Sequence, residues 1–365
     1  MALKCGIIGL PNVGKSSFYN ALCKGNAVSA NFPFCTIDPN IGIVTIPDER
    51  LAVLTKLAQP AKTIPTTISF VDIAGLVQGA SQGEGLGNQF LSHIRGVDAL
   101  IHVIRCFDND DIIHVAGGVN PIFDKEIINH ELQQADLASL QKRKLKLSKK
   151  AQSGDREASQ EVQLLDRFIA ALSKGQDVKS LSVTSKEEKS VHQWQLLSNK
   201  KVIYMANIDE KTLEGGKNQY LEDLREAAKQ EQAILIPICV SVELELVSLP
   251  EEEQDELLSL YQIKETSLPT LVKAAYRMLN LITYFTVGPK EVRAWTIPCG
   301  TLAPAAAGVI HSDLEEGFIK AEVIKYQDYI TYGSEEACKK KGKMTIEGKE
   351  YLVEDGDILH FKCRT

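Results

Sequence analysis

The sequence predicts an α/β protein: a P-loop, doubly wound, mostly parallel sheet with an inserted helical hairpin, followed by a smaller α+β domain. Three observations predict it. Short apolar runs alternate with helical patterns and Gly-rich turns over most of the first 280 or so residues. Between about Glu131 and Lys200 that alternation stops and the text turns helical and basic. Beyond Leu281 short β-like pieces separated by turn signals take over.

The elements follow in order. Cys5–Ile8, Ile68–Ile73, Leu100–Ile104, Val202–Met205 and Ala233–Cys239 read as buried parallel strands, because each is a short apolar run without a polar face. In the helical segment, Leu137, Leu140 and Leu147 are followed by Val162, Leu165, Ile169 and Leu172, whose steps of three and four make a narrow apolar seam. Ser153-Gly154-Asp155 is the turn between them, which makes an antiparallel hairpin. The last domain is expected to hold strands at Tyr284–Thr286, Ala294–Pro298, Ala321–Ile324, Tyr351–Val353 and Ile358–Lys362, with one helix around Thr301–Leu314. The expected domains are therefore residues 1–130 with 201–281, an insertion over 131–200, and 282–365.

Composition narrows the class. At 365 residues, 44% hydrophobic and 24% charged, the chain can bury two or three cores without staples, which excludes disordered, collagenous and disulfide-scaffold classes. Its net charge is −7, so a polyanionic partner must be met by a local basic patch. No apolar run approaches the ~18 residues of a membrane helix, and the chain opens straight into a strand-like run instead of a signal segment. Eight scattered cysteines without a CxxC pair suit reduced thiols and a cytoplasmic location.

The chemistry sits in the first domain. Gly9-Leu10-Pro11-Asn12-Val13-Gly14-Lys15-Ser16 matches G-x-x-x-x-G-K-[ST] between a predicted strand and a predicted helix. Its glycines let successive N–H groups wrap phosphates, Lys15 reaches the β- and γ-phosphates, and the Ser16 hydroxyl ligates Mg²⁺. Asp72 ends the second strand in Asp72-Ile73-Ala74-Gly75, where its carboxylate can hold the magnesium through water and the Gly75 N–H can approach a γ-phosphate. Thr36, in a polar loop with Pro33, is a second candidate magnesium ligand. After Gly75 stands Leu76, where hydrolysing GTPases carry Gln or His, and the stretch Gly75–Gly87 holds five glycines in 13 residues. Hydrolysis must then lean on other groups. A K⁺ ion held by the Asn12 amide oxygen is one candidate, and His93 or His114 is another.

Base choice falls to Asn207-Ile208-Asp209-Glu210. Guanine readers use N-K-x-D, whose Asp accepts from guanine N1 and N2; here Ile208 replaces the Lys and the longer Glu210 stands fourth. Losing that Asp costs guanine its preference and lets adenine bind through Asn207 and main-chain groups. Asp209, one position early, leaves GTP open as the alternative. Cys239-Val240-Ser241 occupies the place of the last base-contacting loop.

Together these residues resemble the YchF/Obg-like ATPase family of Obg-related P-loop proteins. Asn31-Phe32-Pro33-Phe34-Cys35-Thr36, Asp72–Val77, Gly83–Leu91, Lys290–Thr296 and Gly317–Ala321 all look like its signature stretches, so the likeness covers nearly the whole chain. The resemblance implies a C-terminal TGS domain of β-grasp type over 282–365, slow Mg²⁺-dependent ATP hydrolysis, and association with the ribosome, mainly its large subunit. By motif it carries over Asn12, Val13, Gly14, Lys15, Ser16 and Ser17 as the phosphate loop. Ser16 and Thr36 carry over as magnesium ligands, and Ile208 as a base contact through its main chain.

Lys142, Arg143, Lys144, Lys146, Lys149 and Lys150 put six cations within nine residues with no acid among them, a run suited to RNA phosphates. Lys339, Lys340, Lys341 and Lys343 form a shorter patch. The expected protein is a monomeric, cytoplasmic ATP-dependent switch on the ribosome, without a membrane or DNA partner. Its rivals are a GTPase of ribosome assembly and a non-catalytic, nucleotide-gated RNA-binding module.

Overall fold

In the computed structural model the described residues are 3–25, 41–73, 86–114, 117–263 and 265–364. They divide into two compact units, 3–25 with 41–42 and 69–268, and 43–68 with 269–364.

In the first unit, five strands lie parallel in the order Thr67–Asp72, Lys4–Ile8, Ala99–Arg105, Lys201–Asn207, Ile234–Ile238, and Ile41–Thr45 closes the sheet beyond Thr67–Asp72. In chain order the parallel strands run 2-1-3-4-5. The direction of winding thus reverses between Lys4–Ile8 and Ala99–Arg105, and a crevice opens beyond the carboxyl ends of the strands at that point. Ala99–Arg105 is buried at every residue, as a central strand covered on both faces must be. Each predicted strand is present: Cys5–Ile8 gains one residue, Leu100–Ile104 two and Val202–Met205 three, Ile68–Ile73 slides back by one to Thr67–Asp72, and Ala233–Cys239 shortens to Ile234–Ile238. Among the described residues no helix is long and apolar enough to cross a membrane.

The hairpin is present with a different start. Its first helix runs Pro121–Gln152, ten residues ahead of the expected insertion. Asn120 caps it by accepting from the Phe123 N–H, Pro121 occupies the first turn, and nothing breaks the helix for 32 residues. Its opening third packs against the rest of the first unit. Ile128 and Leu132 are buried there, and Lys125 pairs with Glu231. Asp136 accepts from the Leu197 and Ser198 N–H groups at 2.9 and 2.8 Å. The hairpin turns at Ser153-Gly154-Asp155 as predicted. Gly154 takes φ 91°, and Asp155 caps Arg156–Ser173 through the Ala158 N–H. Leu140, Leu165 and Leu172 reach the seam, together with Leu164, Phe168 and Trp194.

The second unit's sheet runs Met344–Glu347, Phe318–Ile324, Ile358–Cys363, Leu281–Val287, Glu291–Pro298, Lys62–Ile64. Helix Ala303–Ile310 packs one face over Tyr284, Phe318 and Leu359, and helix Glu49–Ala58 packs the other over Phe285, Val292 and Ile358. The unit therefore exceeds the expected 282–365. Residues 43–68 join it because Leu51 and Leu54 bury against Phe285 and Val292, and because Lys62–Ile64 pairs with Glu291–Arg293. Arg50 bonds Asp355 at 2.7 Å across 305 positions of sequence. Tyr351–Val353 is not a strand. It makes a single bridge, Leu302↔Leu352, and the sheet uses Met344–Glu347 instead.

Candidate nucleotide site

The phosphate loop leaves strand Lys4–Ile8 and enters helix Lys15–Gly25. Gly9 lies against the neighbouring strand so closely that a Cβ would come within 2.5 Å of the Val103 carbonyl oxygen. Gly14 has φ 97°, and a Cβ there would meet the Asn207 side-chain amide at 2.5 Å. Main-chain N–H groups and the start of an 11-residue helix are thus presented without a covering side chain.

Lys15 is 8% exposed, and its Nζ donates to the Leu10 carbonyl at 2.6 Å. Burial pulls its pKa down to about 8, against the opposing charge of Asp72. Burial in turn pushes Asp72 up, while Lys15 and a hydrogen bond from Ser16 hold it down. Lys15, Ser16 and Asp72 therefore form one electrostatic group at the ends of adjacent strands. A hydroxyl and a carboxylate beside an ammonium are a hard-oxygen donor set that suits Mg²⁺ bound to phosphates. Thr36, Gly75 and the stretch from Leu76 to Gly85 lie outside the described residues.

The base side is a cleft of about 610 Å³. Asn12, Val13, Gly14 and Ser17 line it from the phosphate loop, Asn207, Ile208, Asp209, Glu210 and Lys211 from the end of the fourth parallel strand, and Val240, Ser241 and Leu244 from the last loop. Asn207 is buried and ties two of these segments together. Its Nδ2 donates to the Val13 carbonyl at 2.9 Å and its Oδ1 accepts from the Val240 N–H. The Ile208 N–H is donated to the Ile238 carbonyl, so only its own carbonyl can take the main-chain role. Asp209 caps a short helix, accepting from the Thr212 N–H and hydroxyl at 3.0 and 2.5 Å. Glu210 accepts from the Ser241 hydroxyl at 2.9 Å. Both carboxylates that could read guanine thus already hold protein donors.

Two predicted residues stand elsewhere. Cys239 is 2% exposed and does not line the cleft; its Sγ lies 3.2 Å from the Ser241 Oγ, behind the loop. His114 is not in the cleft either. Its Nε2 lies 2.9 Å from Asp124 Oδ2 in the first turn of helix Pro121–Gln152, a pairing made by the tertiary fold. Asn12, for its part, donates from Nδ2 to the Ile113 carbonyl at 3.2 Å.

One wall was missed in the sequence. Phe107, Asp108, Asn109 and Ile112 line the cleft beyond strand Ala99–Arg105. The available signal was Arg105, a cation ending a strand otherwise apolar but for His102.

Comparison with known proteins decides the family. The family described as "50S ribosome-binding GTPase" matches residues 4–147, and the YchF GTPase C-terminal family, described as a protein of unknown function, matches 281–364. The chain is 48% identical over 361 residues to the "Ribosome-binding ATPase YchF" of Escherichia coli O157:H7, covering 99% of each chain. This chain belongs to the YchF family. The Bacillus subtilis (strain 168) member is likewise 48% identical over 363 residues, with 99% of each covered. The solved structure of the Schizosaccharomyces pombe YchF GTPase superposes with a TM-score of 0.89 at 40% identity, over 99% of this chain and 97% of that one. The P-loop unit and the C-terminal unit are therefore both shared with the fission-yeast protein. The names of these relatives differ on the nucleotide, ATP for the bacterial proteins and GTP for the fission-yeast one.

Proposed function

We propose that this protein is a cytoplasmic, ribosome-associated ATPase that hydrolyses Mg²⁺-ATP slowly and uses the bound nucleotide as a switch. The observation that carries the choice of ATP is the engagement of Asp209 by Thr212 and of Glu210 by Ser241. Those contacts turn Asp209 Oδ1 into its own helix cap and Glu210 Oε1 onto Ser241, which works against the planar two-oxygen grip that guanine N1–H and N2–H₂ take and adenine does not need. Calorimetry with ATP and GTP on one preparation tests this. ATP should bind more tightly, and a clear GTP preference would reverse the base assignment.

Magnesium would be held by Ser16 and Thr36, and by Asp72 through water, supplying charge to the β- and γ-phosphates. Lys15 would bind the same phosphates, the Gly75 N–H is the donor this reading reserves for the γ-phosphate, and a K⁺ ion, if held by the Asn12 amide oxygen, would add positive charge. His114 is the candidate for orienting water, with Asp124 at its Nε2 fixing the ring. His114→Ala should lower turnover and leave ATP affinity unchanged; equal turnover removes that role. No turnover even with ribosomes and K⁺ present would favour the non-catalytic reading.

Residues 282–365, read as a TGS domain, and the hairpin are the surfaces offered to the large subunit. Arg143 pairs with Glu161 and Lys144 with Asp166 across the hairpin, which leaves Lys142, Lys146, Lys149 and Lys150 exposed for RNA phosphates. The second patch gives one of its lysines to Asp328, at 3.3 Å from Lys343. The protein acts as a monomer in this reading.

A further inference from the structure

Arg105 ends the central strand at 1% exposure, with the Asp124 carboxylate near enough to feel its charge. Its three nitrogens are spent on main-chain carbonyls. Nε donates to Phe107, Nη2 to Asn109 and Nη1 to Ile112, each at 3.0 Å, and the guanidinium carbon lies 4.8 Å from the Phe107 ring centroid. Three of the residues it holds in this way, Phe107, Asn109 and Ile112, line the cleft. The root of the same loop is tied to the base-reading side, because Asn218 Nδ2 donates to the Cys106 carbonyl at 2.7 Å and to the Thr212 hydroxyl at 2.9 Å. Tyr220 donates to Asp108.

We infer that Arg105 is a positioning residue for the nucleoside end of the ligand: by gathering three carbonyls onto one planar fork it pre-forms the cleft wall at 107–112. This rests on the reading that the cleft takes a nucleoside triphosphate. A guanidinium suits the task because it offers five N–H groups in a fixed plane and stays charged in a buried setting; an ammonium cannot span three acceptors in this geometry. The wall is set before the ligand arrives, so its disorder taxes affinity for the base and ribose and not for the phosphates, which the Gly14–Ser16 amides and Lys15 hold.

The test is Arg105→Lys, which keeps the charge and removes the fork. Binding of ATP and of inorganic tripolyphosphate is measured on wild type and variant in Mg²⁺. If the wall keeps its receptive shape a tenth of the time, the ATP Kd rises about tenfold while the tripolyphosphate Kd is unchanged. KM for ATP should rise with kcat kept. An equal loss for both ligands, or no loss for either, overturns the inference. Wild type that binds neither ligand overturns the nucleotide reading itself. Should the variant not fold, hydrogen exchange on nucleotide-free wild type decides. The Asp111 and Ile112 amides, bonded to Asn109 Oδ1 and to the Asn109 carbonyl, should be protected before ATP is added. Exchange at the rate of an open chain there sinks the claim of a pre-formed wall.

Discussion

Lys15 should make nucleotide affinity depend on pH in a range where few side chains titrate. Its burial against the Leu10 carbonyl holds its pKa at about 8, below the usual 10.5. A shift of that size corresponds to roughly 3 kcal/mol of disfavour for the charged form in the empty site. The native pKa lies below the unfolded one, so this cost is fully present below pH 8, and stability of the empty protein recovers as pH rises from about 8 towards 10.5. Binding runs the other way. Polyphosphate favours the ammonium and raises its pKa, so ATP binds the charged form, and above pH 8 each binding event must first recover a proton. With polyphosphate keeping the bound ammonium charged through pH 9, the Kd at pH 9 should be about tenfold weaker than at pH 7, about 1.4 kcal/mol. Calorimetry from pH 7 to 9.5 in buffers of differing ionisation enthalpy would read both the affinity and the proton uptake. The Lys15→Gln variant should bind weakly with a flat profile. A flat profile in the wild type, or no proton uptake at pH 9, refutes the coupling between this lysine and the phosphates.

Other substitutions probe separate parts. Gly14→Ala puts a Cβ at φ 97° into the Asn207 amide, and strain plus a lost buried hydrogen bond should cost ATP binding about 2–4 kcal/mol; titration giving wild-type affinity would show that the loop relaxes freely. Glu243, whose Oε1 accepts from the Ser267 N–H at 2.6 Å while burial raises its pKa to about 7, contributes stability that is full below about pH 4.5 and lost as pH climbs through 7. Glu243→Gln should therefore gain about 2–3 kcal/mol relative to wild type on going from pH 5 to pH 8.5 in urea unfolding, and parallel profiles would deny the shift. Lys142→Glu with Lys146→Glu should reduce co-sedimentation with ribosomes and flatten its salt dependence, since both are exposed and free of the hairpin's own ion pairs; unchanged binding moves the RNA contact elsewhere. Asp155→Ala removes the cap on the second hairpin helix and should cost about 1 kcal/mol by thermal or urea unfolding, with unchanged stability pointing to a replacement cap.

What local chemistry dictates was legible in the chain. Gly9, Gly14, Lys15 and Ser16 announce a phosphate loop because each is required within eight consecutive positions, and the strands declare themselves by short apolar runs that need two covered faces. The hairpin turn was equally plain, since Gly154 and the capping Asp155 are adjacent in sequence. Residues 43–68 could not be assigned from the chain alone. Their partners lie more than 200 positions away, and an amphipathic helix such as Glu49–Ala58 carries no mark of which sheet will bury it. Nearer contacts were hidden for another reason, since loop turns that no motif specifies decide that His114 faces Asp124 ten positions on, that Asp209 meets Thr212 and Glu210 meets Ser241, and that Arg105 gathers carbonyls two to seven positions ahead. A side chain's identity fixes what it can bond; which partner reaches it depends on how the backbone turns, in the next loop as much as in a distant segment.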